Sequence, residues 1–443
     1  MFRMLRNNAE KRPNPVSCDE SPSPAGNIIP SIPVSPPNAT RRMLVMGGLA
    51  GMLGLLTKGC VSVNKPTATT PAAQAIDLAS IPRGAVAQLI AGNLSSALRD
   101  VGYPADWFLA NLLALGLQGK PPKLYRHISG GKTLADFAED HFDVIANSYT
   151  FLVSYYNKEV EGYHMFLWHG VRMNGLQIVA ALDESVTSEE AWHAWRQAYF
   201  YYGEKSKPVL TYAPGHHGWS AWEAALQLIA TPEAKAIWLT SADAPNFPSD
   251  NLSNEVGVQL VLGHPAYDSG RKPLAYFSAV AVALYVDSAP MALQSAIQQA
   301  LSDTGLNAKD IGSIVHDSGR GMGKGKLNEE ARKRQGVING TMQMLFPNIN
   351  PLTNVIDLSS TFGDLGASTV NLSLLIGAFA CHERKHPVLY MSVRDPGMAR
   401  ALVILPSPEY SETDMARRWR PVNQRSFWSR SWWGQRRDGK PDY

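Results

Sequence analysis

The sequence predicts a layered α/β fold, and three observations carry that prediction. From residue 208 to residue 405, short apolar runs alternate with longer amphipathic ones, the order of strands and helices in α/β proteins. Glycine and proline punctuate the joins, as in Ala-Pro-Gly-His-His-Gly at 213–218, Gly-Asp-Leu-Gly at 363–366 and Asp-Pro-Gly at 395–397. The chain has 443 residues, 45% of them hydrophobic, enough to bury a large core.

The elements follow in order. Residues 77–117 read as helical, through VAQLIAGNLSSALRDV and then DWFLANLLALGL. LYRHISGGKTLADFAEDHFDVIANSYTFLVSYYN mixes a Gly-Gly turn with amphipathic and aromatic segments. YHMFLWHG and GLQIVAAL are short apolar runs and read as buried strands. SEEAWHAWRQAYFYYG opens on a serine followed by acids, a helix-start signal. KPVLTYAPGHHGWSAWEAALQLIA reads as strand, tight turn and helix, AKAIWLTSADAP as the next strand, and PLAYFSAVAVALYVDS as a pair of strands. LQSAIQQALSDTGL is a helix, NAKD a turn, and IGSIVHDSG a strand that ends on His316. A glycine loop, a helix and a strand come next. TFGDLGASTVNLSLLIGAFA then turns into a further helix, and VRDPGMARALVIL supplies the last turn and strand.

The ends of the chain differ from its body. Residues 1–40 are rich in Pro, Ser and Asn and are expected to be disordered. Residues 41–75 read as an export signal and linker: Arg41 and Arg42 precede an apolar run from Met43 to Leu56, closed by Lys58. That run is too short and too glycine-rich for a spanning helix and suits the h-region of a signal. The paired arginines resemble a twin-arginine signal. Three outcomes stay open: a lipoprotein-like attachment at Cys60, cleavage after Ala73-Gln74-Ala75, or an uncut anchor. The sequence thus places the protein outside the cytoplasm, in the periplasm or on a membrane.

The net charge of +3 gives no support to a nucleic-acid role. Cys18 and Cys60 lie in or before the signal region and Cys381 in an apolar helix, so the body holds no disulfide framework. Residues 406–443 form a tail in which arginines interleave with Trp419, Phe427, Trp428, Trp432 and Trp433. Such a tail fits contact with a membrane surface or a partner, or it packs back on the body.

Other chemistry-bearing motifs fail. Gly319 to Lys324 lacks the spacing of a phosphate loop, and no Ser or Thr follows its lysine. Gly218-Trp219-Ser220 breaks the nucleophile-elbow pattern at Trp222. His164 and His169 have no third partner for zinc. No cofactor and no metal is expected. The aromatic run Tyr199 to Tyr202 reads as core or interface.

The region from Pro208 to Leu405 resembles the thiolase-like condensing enzymes, the β-ketoacyl synthases most of all. LTYAPGHHGWSAWEAALQLI resembles their nucleophile strand-turn-helix, and IVHDSGRGMGKGKLNEEA their first His loop. SSTFGDLGASTVNLSLLIGAFA resembles the second, and VRDPGMARALVIL the terminal turn and strand. The likeness covers somewhat under half of the chain and rests on the ordered set. It implies a layered fold of two related halves and a homodimer. In the division it suggests, 76–207 is an unassigned N-terminal half and 208–405 the thiolase-like C-terminal half.

The departures decide the functional expectation. Gly215 or His216 stands where the family's cysteine nucleophile aligns, so no thiolate can hold an acyl group there. Asp364 replaces the second histidine, and Ser359 stands near the family's lysine. A carboxylate at that point repels a developing oxyanion. His316 remains, at its strand end, either lining the site or held by Asp317 or the backbone. His216 and His217 could pair with Asp364; otherwise His217 faces solvent and His216 packs in the turn. Two functions stay open. One is a catalytically degenerate protein that binds an acyl or lipid-like group, or a partner, in the former site. The other is an acyltransferase or thioester hydrolase using His316 with His216 or Asp364.

Overall fold

A computed structural model describes residues 77–96, 177–181, 210–213, 216–243, 256–286, 288–319, 326–362, 365–410, 432–435 and 437. Its strands are β1 (Ala85–Ser96), β2 (Gln177–Ala181), β3 (Leu210–Tyr212), β4 (Ile237–Asp243), β5 (Val256–Gly263), β6 (Ala275–Ser278) and β7 (Ala281–Leu284). They continue as β8 (Ser313–Asp317), β9 (Val355–Asp357), β10 (Val388–Ser392), β11 (Met398–Pro406) and β12 (Trp432–Trp433). The helices are α1 (Trp219–Leu228), α2 (Ala289–Thr304), α3 (Lys326–Leu345), α4 (Leu358–Phe362) and α5 (Thr369–Arg384).

The strands repeat one topology twice. In space the order is β3-β2-β4-β5-β1-β6-β11-β10-β8-β9. In the first five strands, β3, β2 and β4 are parallel, and β5 and β1 follow antiparallel. In the second five, β9, β8 and β10 are parallel, and β11 and β6 follow antiparallel. Numbered along the chain within its own half, with β7 set aside because it pairs β11 off this path, each set of described strands reads 3-2-4-5-1. The halves join where β1 runs antiparallel to β6. The chain therefore folds as two related halves. They part between Gly263 and Ala275, not at residue 208: β3 hydrogen-bonds to β2 and belongs with α1 to the first half.

Helix α5 forms the middle of the layering. Every side chain from Thr369 to His382 is buried. A helix apolar and buried all round must be covered on all sides. It packs on β8, β10, β11 and β6 of the second half and on β4, β5 and β1 of the first, with α1 beside it. By the repeat, α1 follows β3 as α5 follows β9, so the two are equivalent helices sharing one central layer. Helices α2 and α3 cover the opposite face of the second half. Strand alternation sorts the side chains accordingly. Val315, Ile356, Tyr390 and Leu402 enter the central core, while Ile314, Leu389, Met391 and Val403 enter the outer one.

Local chemistry explains the main boundaries. Ser288 caps α2 by accepting from the Met291 N–H, with Pro290 in the first turn. Gly305 ends that helix in the left-handed conformation, at φ 71. Pro396 and Gly397 (φ 79) make the turn from β10 to β11, which is closed by the Met398 N–H on the Asp395 carbonyl at 3.4 Å.

A further reading is overturned within the described residues. The stretch expected to be helical from 77 begins with a short 3₁₀ turn, Leu78–Ser80, and continues as β1. This strand pairs with β5 on one edge and with β6 and β12 on the other, and Ala87 to Gly92 are all buried. A strand covered on both faces keeps no polar alternation, so its apolar residues satisfy helical spacing equally well. Residues 97–117, YHMFLWHG, the helix start at SEEAW and the N-terminal signal lie outside the described residues. Beyond residue 410 the described residues of the tail are 432–435 and 437, and they pack back on the body. Trp433 and Trp432 pair with Ala91 and Gly92 of β1.

Candidate functional site

The equivalent turns before α1 and α5 meet. Gly218 ends the His216–Gly218 3₁₀ turn at φ 99 and caps α1. A Cβ on Gly218 would stand 2.5 Å from the Ala367 carbonyl oxygen, one residue before the cap of α5. Only glycine accepts both that φ and that approach. The strand ends of β8 and β10 open onto the same junction, because Asp317 and Asp395 lie at or just past them.

His217 occupies this junction. Its backbone is left-handed (φ 55, ψ 25), a conformation a non-glycine residue rarely adopts. Its Nε2 lies 3.9 Å from Asp395 Oδ1, and 30% of its side chain is exposed. His217 therefore turns to a carboxylate, that of Asp395, where the sequence left it either to pair with Asp364 or to face solvent. Asp395 is buried and also ion-pairs with Arg400 through its other oxygen. The Arg400 guanidinium sits over the Trp219 ring at 5.1 Å, and Trp219 stacks on Tyr390 at 5.4 Å.

A second buried pair lies beside the first. Arg394 donates from one nitrogen to both oxygens of Asp317, each at 3.0 Å, and from the other to the Leu365 carbonyl at 3.1 Å. Ser359 Oγ donates to Asp317 Oδ1 at 2.5 Å, and the Gly319 N–H reaches Oδ1 at 3.1 Å and Ser359 Oγ at 2.9 Å. Burial pushes the Asp317 carboxyl up. Arg394, the Ser359 hydroxyl, nearby His217 and the Gly319 amide outweigh it and hold the carboxyl below its ordinary value. The serine where the family's lysine was expected thus serves as a donor to a fixed carboxylate.

His316 points the other way. On β8 it shares the outer face with Ile314, while Asp317 shares the inner face with Val315. Its Nδ1 is 3.9 Å from Asp357 Oδ1 on the paired strand and makes no hydrogen bond among the described residues. Asp317 does not hold it, since that carboxylate belongs to the inner network. The structure does not bring His316 to the turn before α1. Gly215, Gly363 and Asp364 lie outside the described residues, as does the side chain of His216.

Cys381 lies far along α5, fully buried, with its Sγ toward the Ile404 carbonyl at 3.5 Å. Burial raises its thiol well above the ordinary value, so it is an inert core thiol. Ser313 and His386 also pair, at 3.0 Å, but at the other end of β8. The serine is fully buried and accepts from Arg384, which marks a structural contact. Among the described residues no group of three His, Cys, Asp or Glu side chains is arranged to hold a metal ion.

Sequence reasoning missed Arg394, Arg400 and Asp395 as site residues. The Asp-Pro-Gly turn was visible, but nothing in its spacing pointed to His217.

No protein-family model matches the chain, and no curated protein matches it. Among solved structures, it is similar to the ishigamide ketosynthase/chain length factor, with TM-score 0.46 and 14% identity, over 72% of this chain and 99% of that one. It is also similar to the peroxisomal 3-ketoacyl-CoA thiolase of Saccharomyces cerevisiae, with TM-score 0.46 and 11% identity, over 72% and 97%. A third is β-ketoacyl-[acyl carrier protein] synthase III from Thermus thermophilus, with TM-score 0.37 and 15% identity, over 54% and 80%.

Proposed function

We propose that the chain is an exported, thiolase-like protein that has lost condensation and holds an acyl or lipid-like group where the turns before α1 and α5 meet. One observation carries the reading: no thiol stands at that junction. The turn before α1 is Ala-Pro-Gly-His-His-Gly, and no cysteine occurs between residues 61 and 380. Condensation through a thioester needs a thiolate there. The repeated strand order and the shared central helix layer support the thiolase-like reading of the fold.

Localisation and assembly belong to the same proposal. The protein reaches the periplasm through the Arg41-Arg42 signal, stays free or anchored at Cys60, and acts as a homodimer. The Trp- and Arg-rich tail segment before Trp432 meets a membrane surface.

The test uses the full mature chain. Mixing it with the octanoyl and malonyl thioesters of N-acetylcysteamine yields no β-ketoacyl product by mass spectrometry. The octanoyl amide analogue, which cannot be cleaved, binds by calorimetry. Formation of the β-ketoacyl product would overturn the loss of condensation, and absence of binding would overturn the acyl site. Retention of periplasmic delivery by the doubly substituted Arg41→Lys, Arg42→Lys chain would overturn the twin-arginine route.

A further inference from the structure

We infer that His217 is the acid–base residue of this site, oriented by Asp395, and that the site hydrolyses activated acyl groups. The inference rests on the reading that an acyl group is held at this junction, and adds what happens to it there.

The geometry around the imidazole carries the argument. His217 holds a left-handed backbone, which strains any residue that carries a Cβ. Strain of that kind persists where the surroundings impose it, and it gathers at functional sites. Here the surroundings form a closed circuit. His217 Nε2 faces Asp395 at 3.9 Å; Asp395 pairs with Arg400; Arg400 lies over Trp219; Trp219 opens the helix that His217 precedes. Catalytic hydrogen bonds are often long before substrate binds. Asp395 is fixed by its buried ion pair and by the Pro396-Gly397 turn, so it can hold the ring as a second carboxylate holds a catalytic histidine. With 30% of its side chain exposed, His217 is the member of this cluster that water and an acyl carbonyl can reach.

The chemistry balances with water alone. The water oxygen attacks the carbonyl carbon of a thioester, and its proton passes to His217 Nδ1. Asp395 stabilises the imidazolium. The C–S bond then breaks, and the leaving sulfur takes the proton back. The products are a carboxylic acid and a thiol. Among the described residues, the charged groups near the imidazole include Asp395 and Arg400, with Asp317 and Arg394 beyond them.

The full mature chain is assayed with the octanoyl thioester of N-acetylcysteamine, following thiol release, alongside calorimetry of the octanoyl amide. Wild-type protein releases thiol above the blank. His217→Ala, and His217→Asn, which tolerates the left-handed backbone, lose on the order of 10²-fold in kcat. Added imidazole restores part of the rate to His217→Ala, which a purely structural role does not allow. Asp395→Asn lowers kcat about tenfold or more while KM stays near the wild-type value. Amide binding without thiol release by the wild type overturns the inference and leaves the acyl-binding reading in place. Unchanged release in His217→Ala does the same. No amide binding by the wild type overturns both.

Discussion

Arg394 closes one nitrogen over both carboxylate oxygens of Asp317, 3.0 Å from each, with both side chains nearly out of solvent. The pair ties the turn between β10 and β11 to the end of β8, and its second nitrogen reaches the turn before α5. Removing one partner of a buried pair leaves an uncompensated charge. Arg394→Gln is therefore expected to cost about 3–5 kcal/mol, and the double variant with Asp317→Asn less than the sum of the two singles. A double-mutant cycle in urea measures this; strict additivity is the result that contradicts it. The pH sign follows from the depressed carboxyl. Its stabilisation is complete above the ordinary value of 3.8 and is lost as pH falls through the lower folded value. Asp317→Asn lacks that acid-limb loss.

Gly218 and Gly377 predict different penalties for the same added methyl. At Gly218 the Cβ meets a backbone oxygen at 2.5 Å, and φ is 99. At Gly377 it meets Ile404 Cδ1 at 2.3 Å, the far end of a flexible side chain. Gly218→Ala is expected to cost about 3 kcal/mol or more, and Gly377→Ala about 1–2 kcal/mol. Equal midpoints in chemical unfolding would contradict the distinction.

His382 predicts a stability change in mild acid. Burial, then Lys385, push its pKa from 6.5 down to about 4, while its hydrogen bond with the Leu274 carbonyl opposes the shift. The unfolded chain takes up the proton first as pH falls. The contribution is thus complete above pH 6.5 and is lost as pH falls through about 4, by up to about 3 kcal/mol. His382→Gln flattens the profile in that window. A variant that follows the wild-type curve across it would contradict this origin.

The end of the tail is clasped to the body. Arg437 grips both Glu409 oxygens at 2.8 and 3.0 Å and Asp268 at 2.7 Å, and Gln435 exchanges hydrogen bonds with Lys272 and Tyr410. A Cβ on Gly434 would lie 1.9 Å from the Lys272 carbonyl oxygen. Gly434→Ala and Arg437→Ala are both expected to release the tail, seen as faster proteolytic trimming with the body intact. Trimming at the wild-type rate in both would contradict the clasp.

Much of the second half was legible, because its strands are short apolar runs between glycine turns. Strands β8 and β11 and helices α2 and α5 fall where the patterns put them, whereas β10 was not read from the sequence. β1 was not legible as a strand: burial on both faces erased the alternation that marks one. In the first half β2, β3, α1 and β4 were read and β1 and β5 were not, so its likeness to the second emerges only from the pairing order.

The sequence by itself determined the absence of a thiol before α1, since composition alone excludes it there. It also placed most of the strands and helices from 208 to 405, though not β5, β10 or α4. Only the tertiary structure decided which residues share the site. A strand's period of two says that His316 and Asp317 point to opposite faces. It does not say which face meets the central helices, because that depends on the layer packed against it. The same holds for His217 and Asp395. They are distant along the chain, and their approach follows from β10 lying beside β8 and from α1 sharing a layer with α5.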